Sequence, residues 1–407
     1  MIHISDKSCC CGCTACVAVC PKRCIRMVED SEGCLYPQVD LSLCIDCGLC
    51  KTVCPVLQPG VRREPSTVYA AKNADGQIRL HSSSGGIFTL LAEYVIKEGG
   101  VVFGARFNKD WEVVHDYAES REDLAAFRGS KYVQSRMGDC FRQAKQFLQE
   151  GRKVLFSGTP CQIAGLKNSL RKDYDNLLTV DVICHGVPVP LVWKKYLAEI
   201  VARQGDGKNS VLPYPKSPAL KSVGDGISRI DFRDKELGWK KYSFALTLSK
   251  ATAAGEKNTV LLSHIFSEDA FMKAFLFNIS LRPSCYACPA KSGKSGSDIT
   301  LGDFWGVEQV LPEFDDDKGV SVVLCFTEKG KQLLEAVLPY ERLSVAYATA
   351  IACNPSMLVS VNRPKCRGFF LHRLLKQGCG FDRALDDALE MRPLKRARRL
   401  LFYWLGY

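Results

Sequence analysis

Cys10, Cys13, Cys16 and Cys20 are followed by Pro21, and Cys44, Cys47, Cys50 and Cys54 by Pro55, so C-x2-C-x2-C-x3-C-P is written twice near the start of the chain. Three thiolates with two-residue gaps suit three irons of one cubane, and the fourth, set after a short helical turn, reaches across to the other cluster. This spacing assigns Cys10, Cys13, Cys16 and Cys54 to one 4Fe-4S centre. Cys44, Cys47, Cys50 and Cys20 then hold a second. The competing readings are a disulfide framework and two four-cysteine zinc sites. Zinc ribbons use two CxxC pairs well apart, and neither alternative places a proline after the fourth cysteine of both copies. Cys11 competes with Cys10 as first ligand, but only Cys10 keeps the two-residue gap.

The chain has 407 residues and 21 cysteines. The opening MIHISDKSCC lacks an apolar signal region, and no stretch of about 18 apolar residues suits a membrane span, so a cytosolic protein is expected. In a reducing cytosol that many cysteines argue for metal ligation rather than disulfides. Oxygen-labile centres further suggest an anaerobic or low-oxygen setting. The formal net charge is +11, and Arg363 to Arg399 contributes 11 Lys and Arg against 4 Asp and Glu. A basic tail suits nucleic acid, an anionic membrane surface or an acidic partner. No nucleic-acid fold motif accompanies it, and nucleic-acid binding is not expected.

Residues 1–58 read as an α+β ferredoxin-like domain, with Arg26 to Glu32 and Tyr36 to Asp40 as hairpin strands. Leu57 to Ser66 reads as a linker. Residues 67–342 alternate strands with helices and Gly-rich turns, which predicts an α/β domain with a mixed sheet and its ligands at the strands' carboxyl ends. Expected strands include Thr67 to Ala71, Val101 to Phe107, Lys153 to Phe156 and Leu177 to Ile183. A helix is expected from Ile87, and a hairpin from Ile227 to Ser249. Arg203 to Gly226 reads as a surface insertion, and 343–407 as a helical basic C-terminal region.

Five motifs in order, GTPCQ (Gly158 to Gln162), CHG (Cys184 to Gly186), FRDK (Phe232 to Lys235) followed by Gly238-Trp239, LRPSCYAC (Leu281 to Cys288) and DITLGDFWG (Asp298 to Gly306), resemble the family of β subunits of coenzyme F-420-reducing hydrogenases and dehydrogenases. The resemblance runs from the HSSSGG loop at His81 to about Trp305. It implies that the α/β domain binds FAD, which exchanges a hydride with a deazaflavin or another organic substrate, while iron-sulfur clusters carry single electrons.

Cys161, Cys184, Cys285 and Cys288 lie inside those motifs. Each sits in a turn after a strand or beside Gly and Pro, where loops converge, and the CxxC pair Cys285/Cys288 anchors a third 4Fe-4S cluster. Zinc, buried free thiols and a catalytic Cys161 or Cys184 remain open. Ser83, Ser84, Gly85 and Gly86 open a helix, where backbone N-H groups approach phosphate or a flavin ring; the plain alternative is a helix cap. Arg128 to Lys131 suits pyrophosphate or a reduced flavin's negative charge, and equally a solvated charged face. Thr159, Gln162 and Asp303 are candidates for lining the flavin or the third cluster on the resemblance. His185 is either a proton donor near the flavin or a hydrogen-bonded core residue. Cys9, Cys11, Cys24, Cys34, Cys140, Cys325, Cys353, Cys366 and Cys379 have no place in this ligand scheme and default to free thiols.

The expected function is an iron-sulfur flavoprotein oxidoreductase that passes electrons between an organic redox substrate, coenzyme F-420 among the candidates, and a redox partner protein or soluble ferredoxin. The other class is an electron-transfer subunit without substrate chemistry. The segment Leu394 to Tyr407, basic and then aromatic, packs on the chain's own core, docks on a partner or lies on a membrane surface.

Overall fold

In a computed structural model, the structure describes residues 1–205, 226–251, 257–337 and 339–390. The Leu394 to Tyr407 segment and most of the Arg203 to Gly226 insertion lie outside the described residues.

The N-terminal unit is an antiparallel hairpin, β1 (Ile25–Glu29) and β2 (Leu35–Val39), with Ile25 opposite Val39. The strands end earlier than the sequence suggests because the Asp30 carboxylate accepts from the N-H groups of Glu32 and Cys34 and closes the turn. Short helices Ala15–Val19 and Leu49–Thr52 follow the cysteine loops.

The remaining strands are β3 (Thr67–Asn73), β4 (Val101–Phe107), β5 (Val113–Ala118), β6 (Val154–Gly158), β7 (Leu177–Val182), β8 (Ile227–Asp234), β9 (Ser243–Ala251), β10 (Lys257–Ile265), β11 (Ile299–Asp303), β12 (Ser321–Cys325) and β13 (Tyr340–Ser344). Eight form one mixed sheet in the order β13-β3-β12-β11-β7-β6-β4-β5. Neighbours β4, β6, β7 and β11 run parallel, while β5 and β12 flank them antiparallel. β12 is buried along its whole length, as expected of a strand covered on both faces. Because β3 is antiparallel to β12, it runs with the parallel set, and the loops after β3, β6, β7 and β11 emerge at one edge. Those four loops carry the Ser83 turn, Cys161, Cys184 and the end of GDFWG.

The helix Ile87–Lys97 lays Ile87, Leu91, Ala92 and Val95 on this sheet against Leu155, Leu178 and Val323. On another side, Cys13, Ala15 and Val53 of the N-terminal unit share a core with Phe103, Phe141, Phe156 and Ile163. The expected 227–249 hairpin forms two strands of a three-stranded antiparallel sheet, β10-β9-β8, which β10 extends on the far side of β9. Phe232 of β8 and Phe244 of β9 pack with Trp193, Phe271, Phe370, Phe381 and Leu385, so residues 366–388 of the C-terminal region belong to this core, whereas Ala350, Ile351 and Met357 pack with Trp239 and Phe304. Leu57 to Ser66 is strapped down rather than loose: Arg63 N-H donates to Ser292 O at 3.2 Å and Ser66 N-H to Cys325 O at 2.7 Å. Among the described residues no helix is long and apolar enough to cross a membrane.

Candidate functional site

The two cysteine repeats build two cavities, and each exchanges its fourth thiol. Cys10, Cys13 and Cys16 of the first repeat line one cavity with Cys54 of the second; these four form the first set. Cys44, Cys47 and Cys50 line the other with Cys20, the second set. The exchange follows from the fold, since each short helix carries its last cysteine away from its own loop. Ile2 N-H points at Cys50 Sγ, 3.1 Å away. A fifth thiol joins each cavity, Cys11 in the first and Cys24 in the second, where Cys24 Sγ lies 3.4 Å from Cys20 Sγ. Burial pushes the Cys16 thiol up to about 12, as for a donor that ionises only on metal binding.

Cys161, Cys184, Cys285 and Cys288, the third set, come from three separate loops and share one electrostatic neighbourhood. Cys161 sits in the first turn of helix Pro160–Leu170, which Thr159 and Gln162 open as a reciprocal capping box with Pro160 next in line. The Cys184 loop is tied to the 281–291 segment by Arg282 N-H donating to Val187 O at 2.9 Å and by Lys291 Nζ donating to Cys184 O. Val187 N-H approaches Cys285 Sγ at 3.4 Å. Burial pushes the thiols of Cys285 and Cys288 up to about 12 and about 11 and that of Cys184 higher still. Among the described residues no three His, Cys, Asp or Glu side chains close on one ion-sized point. A cubane asks for something else, four thiolates around a cage with an iron for each. The donor chemistry of all three sets fits such a cage.

The first and third sets adjoin. The Cys11 thiol lies within interaction range of both Cys13 and Cys161: Cys13 and burial push its pKa up, while Cys161 pulls the other way. Beside it lies Arg282, fully buried, with its Nε donating to Cys10 O at 2.9 Å. The second set lies at the outer end: Cys47 is exposed, and Leu41, Leu43 and Ile45 near it are 66%, 54% and 59% exposed.

The Ser83 turn is fixed largely by the protein. Ser130 N-H donates to Ser83 Oγ at 2.6 Å, and Ser84 Oγ donates to Val320 O at 2.9 Å. Gly85 N-H donates to Ser321 Oγ at 2.9 Å, and a Cβ on Gly85 would meet Ala71 O at 2.4 Å. Glycine is thus demanded there by the sheet itself. Lys131 Nζ donates to Arg128 O and Gly129 O at 3.0 and 3.1 Å, and burial pushes its amine down to about 8. In the same turn Arg128 Nε is buried without a hydrogen-bond partner. An unanswered guanidinium N-H beside a buried amine fits a phosphate-bearing ligand.

Thr159 N-H donates to Gln162 Oε1 at 2.9 Å, while Gln162 Nε2 donates to Ser135 Oγ, which pairs with His115 Nδ1, each at 2.8 Å. Asp303 is held by Arg233, at 3.0 and 3.3 Å, and by Trp239 Nε1 at 3.0 Å. Trp239 stacks on Trp305 at 4.8 Å, so the FRDK, GW and GDFWG motifs interlock at one point. Lys235, the last residue of FRDK, donates to the carbonyls of Arg79, Ser84 and Lys318 and ties that knot to the Ser83 turn. His185 Nε2 donates to Asn278 Oδ1 at 2.6 Å, and burial pushes its imidazole down to about 4. It is a neutral, oriented side chain at pH 7.

Sequence reasoning weighed Cys11 only as a rival to Cys10 or a free thiol, and missed Arg282, Gln134, Arg233 and Lys235. The available signal was motif membership for Arg233, Lys235 and Arg282; nothing local marks Gln134.

Comparison with known proteins matches residues 68–141 to the N-terminal profile of the coenzyme F-420 hydrogenase/dehydrogenase β subunit, and residues 151–210 and 218–350 to its C-terminal profile. Residues 37–57 match a 4Fe-4S binding domain. A subunit of the F(420)H(2) dehydrogenase of Methanosarcina mazei is 25% identical over 38% of this chain and 46% of its own length. The coenzyme F-420-dependent sulfite reductase of Methanocaldococcus jannaschii is 30% identical over 48% of this chain and 30% of its own. A seven-iron ferredoxin of Hydrogenibacillus schlegelii is 48% identical over 10% of this chain and 47% of its own. Each alignment thus spans under half of the relative. A chain of the F-420-reducing [NiFe] hydrogenase complex of Methanosarcina barkeri aligns over 81% of this chain and 92% of its own, at 18% identity and a TM-score of 0.43. The two profiles together take in the Ser83 turn, the Lys131 turn and all four cysteines of the third set, and the chain belongs to the family of coenzyme F-420 hydrogenase/dehydrogenase β subunits.

Proposed function

We propose that the chain is an FAD- and iron-sulfur-dependent oxidoreductase in which the three thiol sets form one relay, in the order third, first, second. The observation that carries the order is the Cys11 thiol, which interacts with a first-set cysteine and a third-set cysteine at once. Bound FAD would supply the conversion between two-electron hydride chemistry and single electrons, which clusters alone do not perform. Arg128 and Lys131 would hold its phosphates, the Ser83 turn would carry backbone N-H groups toward it, and the Asp303 knot would fix the loop after β11 beside it. His185, neutral and pinned by Asn278, would orient rather than protonate. The organic substrate is of the deazaflavin or a related class, and coenzyme F-420 is the first to try. The second set, with Cys47 exposed and the exposed Leu41, Leu43 and Ile45 in the same stretch of chain, is where a one-electron partner protein would dock.

Anaerobic reconstitution tests the cofactor content: about twelve irons per chain are expected from three four-iron sites, with one non-covalent FAD. A plateau near eight irons that is insensitive to changing Cys285 and Cys288 to Ser would remove the third set. Reduced F-420, NADH, NADPH and reduced ferredoxin, offered in turn, should then bleach the flavin with at least one of them.

A second reading, an electron-transfer subunit with no substrate chemistry of its own, draws on the M. mazei relative, which is named as one subunit of a dehydrogenase. Flavin bleaching by the isolated chain separates the two readings.

A further inference from the structure

Among the described residues, the buried arginines are of two kinds. Arg79, Arg233 and Arg367 each face a carboxylate, from Asp316, Asp303 and Glu32. Arg282 is 0% exposed, yet it donates to three neutral acceptors: Cys10 O at 2.9 Å, Gln134 Oε1 at 2.7 Å and Leu35 O at 2.9 Å. The Tyr36 ring lies 4.5 Å from the guanidinium carbon, and Gln134 is itself steadied by donating to Cys11 O at 3.1 Å. A guanidinium this deep is costly unless negative charge answers it. The ionisable groups acting on it are the thiols of Cys34, Cys10 and Cys11 and the Tyr36 phenol, and its charge in turn acts on Cys161 and Cys285. Cys34 belongs to none of the three sets, whereas Cys10, Cys11, Cys161 and Cys285 belong to or adjoin the first and third.

We propose that Arg282 is a positioning residue whose fixed positive charge is shared by the first and third thiol sets and makes both easier to reduce than the second. The proposal rests on the cluster reading above. Four thiolates around a four-iron cage carry net negative charge, and one added electron increases it. A cation in a low-dielectric interior stabilises the more negative state, so the potential rises where Arg282 acts. The step is a single-electron transfer: no bond forms or breaks, and the electron comes from the reductant of the titration, dithionite. Gln134 aims the charge, and the second set, in a separate cavity that Arg282 does not line, serves as the internal reference.

The test is an EPR-monitored potentiometric titration of the reconstituted full chain, with the second-set signal assigned by its loss in Cys47→Ser. Arg282→Met should make reduction of the first and third sets at least tenfold less favourable, a downward shift of about 59 mV for one electron, and leave the second set in place. Arg282→Lys, which keeps the charge, should recover most of the shift. Gln134→Glu sets a carboxylate against the guanidinium and should lower the same two potentials by less. Unmoved potentials in Arg282→Met, an iron-loaded Arg282→Lys that falls as far as the methionine variant, or a second set that moves as much as the first would each overturn the proposal. Should Arg282→Met fail to load iron, Gln134→Glu decides, and unshifted potentials there overturn it. A wild-type chain without four-iron signals sinks the relay reading as well, whereas intact signals indifferent to residue 282 sink this inference alone.

Discussion

Cys11 and Ile45 hold the same place in the two cysteine repeats, one residue after the first thiol, yet Cys11 is 8% exposed and Ile45 59%. The next position repeats the contrast. Gly12 and Asp46 both take left-handed backbone, at φ +70 and +47, but a Cβ on Gly12 would meet Gln134 Nε2 at 2.7 Å and Arg282 Nη1 at 2.9 Å. Asp46 instead faces solvent and pairs with the Met1 ammonium. The two loops have one donor pattern and one backbone shape, and what differs is the surface each meets. Cluster potential depends on surrounding charge, hydrogen bonds and exposure, so one sequence element used twice yields two unlike sites once the α/β body covers only one.

Removing a thiol from each set should break the symmetry most visibly. Cys16→Ser and Cys47→Ser should each lower iron by about one third, the share of one four-iron site among three. Their effects on the fold should diverge, because Cys13 and Ala15 beside Cys16 are part of the core that holds Phe103, Phe156 and Ile163, whereas Cys47 borders solvent. Metal-binding energy is folding energy where ligands and core coincide. A clearly lower thermal midpoint is expected for Cys16→Ser and a near-wild-type one for Cys47→Ser. Equal midpoints would show that the first loop is not part of the body's core.

A smaller effect comes from single methyl groups. Gly12→Ala and Gly48→Ala both place a side chain at positive φ, at a cost of about 1–2 kcal/mol each. The sequence shows that backbone alone forbids neither: Asp46 occupies the position equivalent to Gly12, and Thr14, at φ +65, the position equivalent to Gly48. Gly48 has open space around it, while Gly12 has Gln134 and Arg282. Gly12→Ala should therefore destabilise by about 1–3 kcal/mol more, the usual range for overpacking. Denaturant midpoints of the two reconstituted variants give the comparison, and indistinguishable values would mean that the Arg282 side chain yields freely.

Much of this layout is legible in the sequence, and what is not has a physical reason. The exchange of Cys20 and Cys54 between cavities follows from spacing alone, and the strands at Thr67, Val101 and Leu177 follow from short apolar runs between turn residues. The loops of GTPCQ, CHG and GDFWG end at one sheet edge, as strand-helix alternation requires. The junction is different. Cys11 looks like a spare thiol until the Cys161 helix is laid beside it, and Arg282 looks like a surface charge until Leu35, Gln134 and Cys10 close round it. These contacts join residues more than 100 positions apart, and no local period encodes them. The Asp303 knot likewise forms only when the small three-stranded sheet brings Arg233 and Trp239 to the end of β11.

The smallest expected difference between the two loops is electrostatic. Asp46 and the Met1 ammonium meet at 2.5 Å on an exposed surface. The ammonium's hydrogen bond and charge hold the Asp46 carboxyl below its ordinary range, and Asp46 in turn raises the Met1 amine. A depressed carboxyl contributes stability that is present above its unfolded value and lost as pH falls through its folded value. A raised amine contributes stability that is present below its unfolded value and lost as pH rises through its folded one. Both conditions hold between about pH 4 and about pH 8, the ordinary values of the two groups, so the contact steadies the second loop only within that window. Salt screens an exposed pair strongly and the buried Arg282 contacts of the first loop weakly. Iron release to a chelator at neutral pH should therefore quicken from the second set as salt is raised, and Asp46→Asn should remove that salt dependence while leaving release from the first set unchanged. Equal salt dependence of both sets, or a persistent dependence in Asp46→Asn, would show that the second loop is held by something other than this pair.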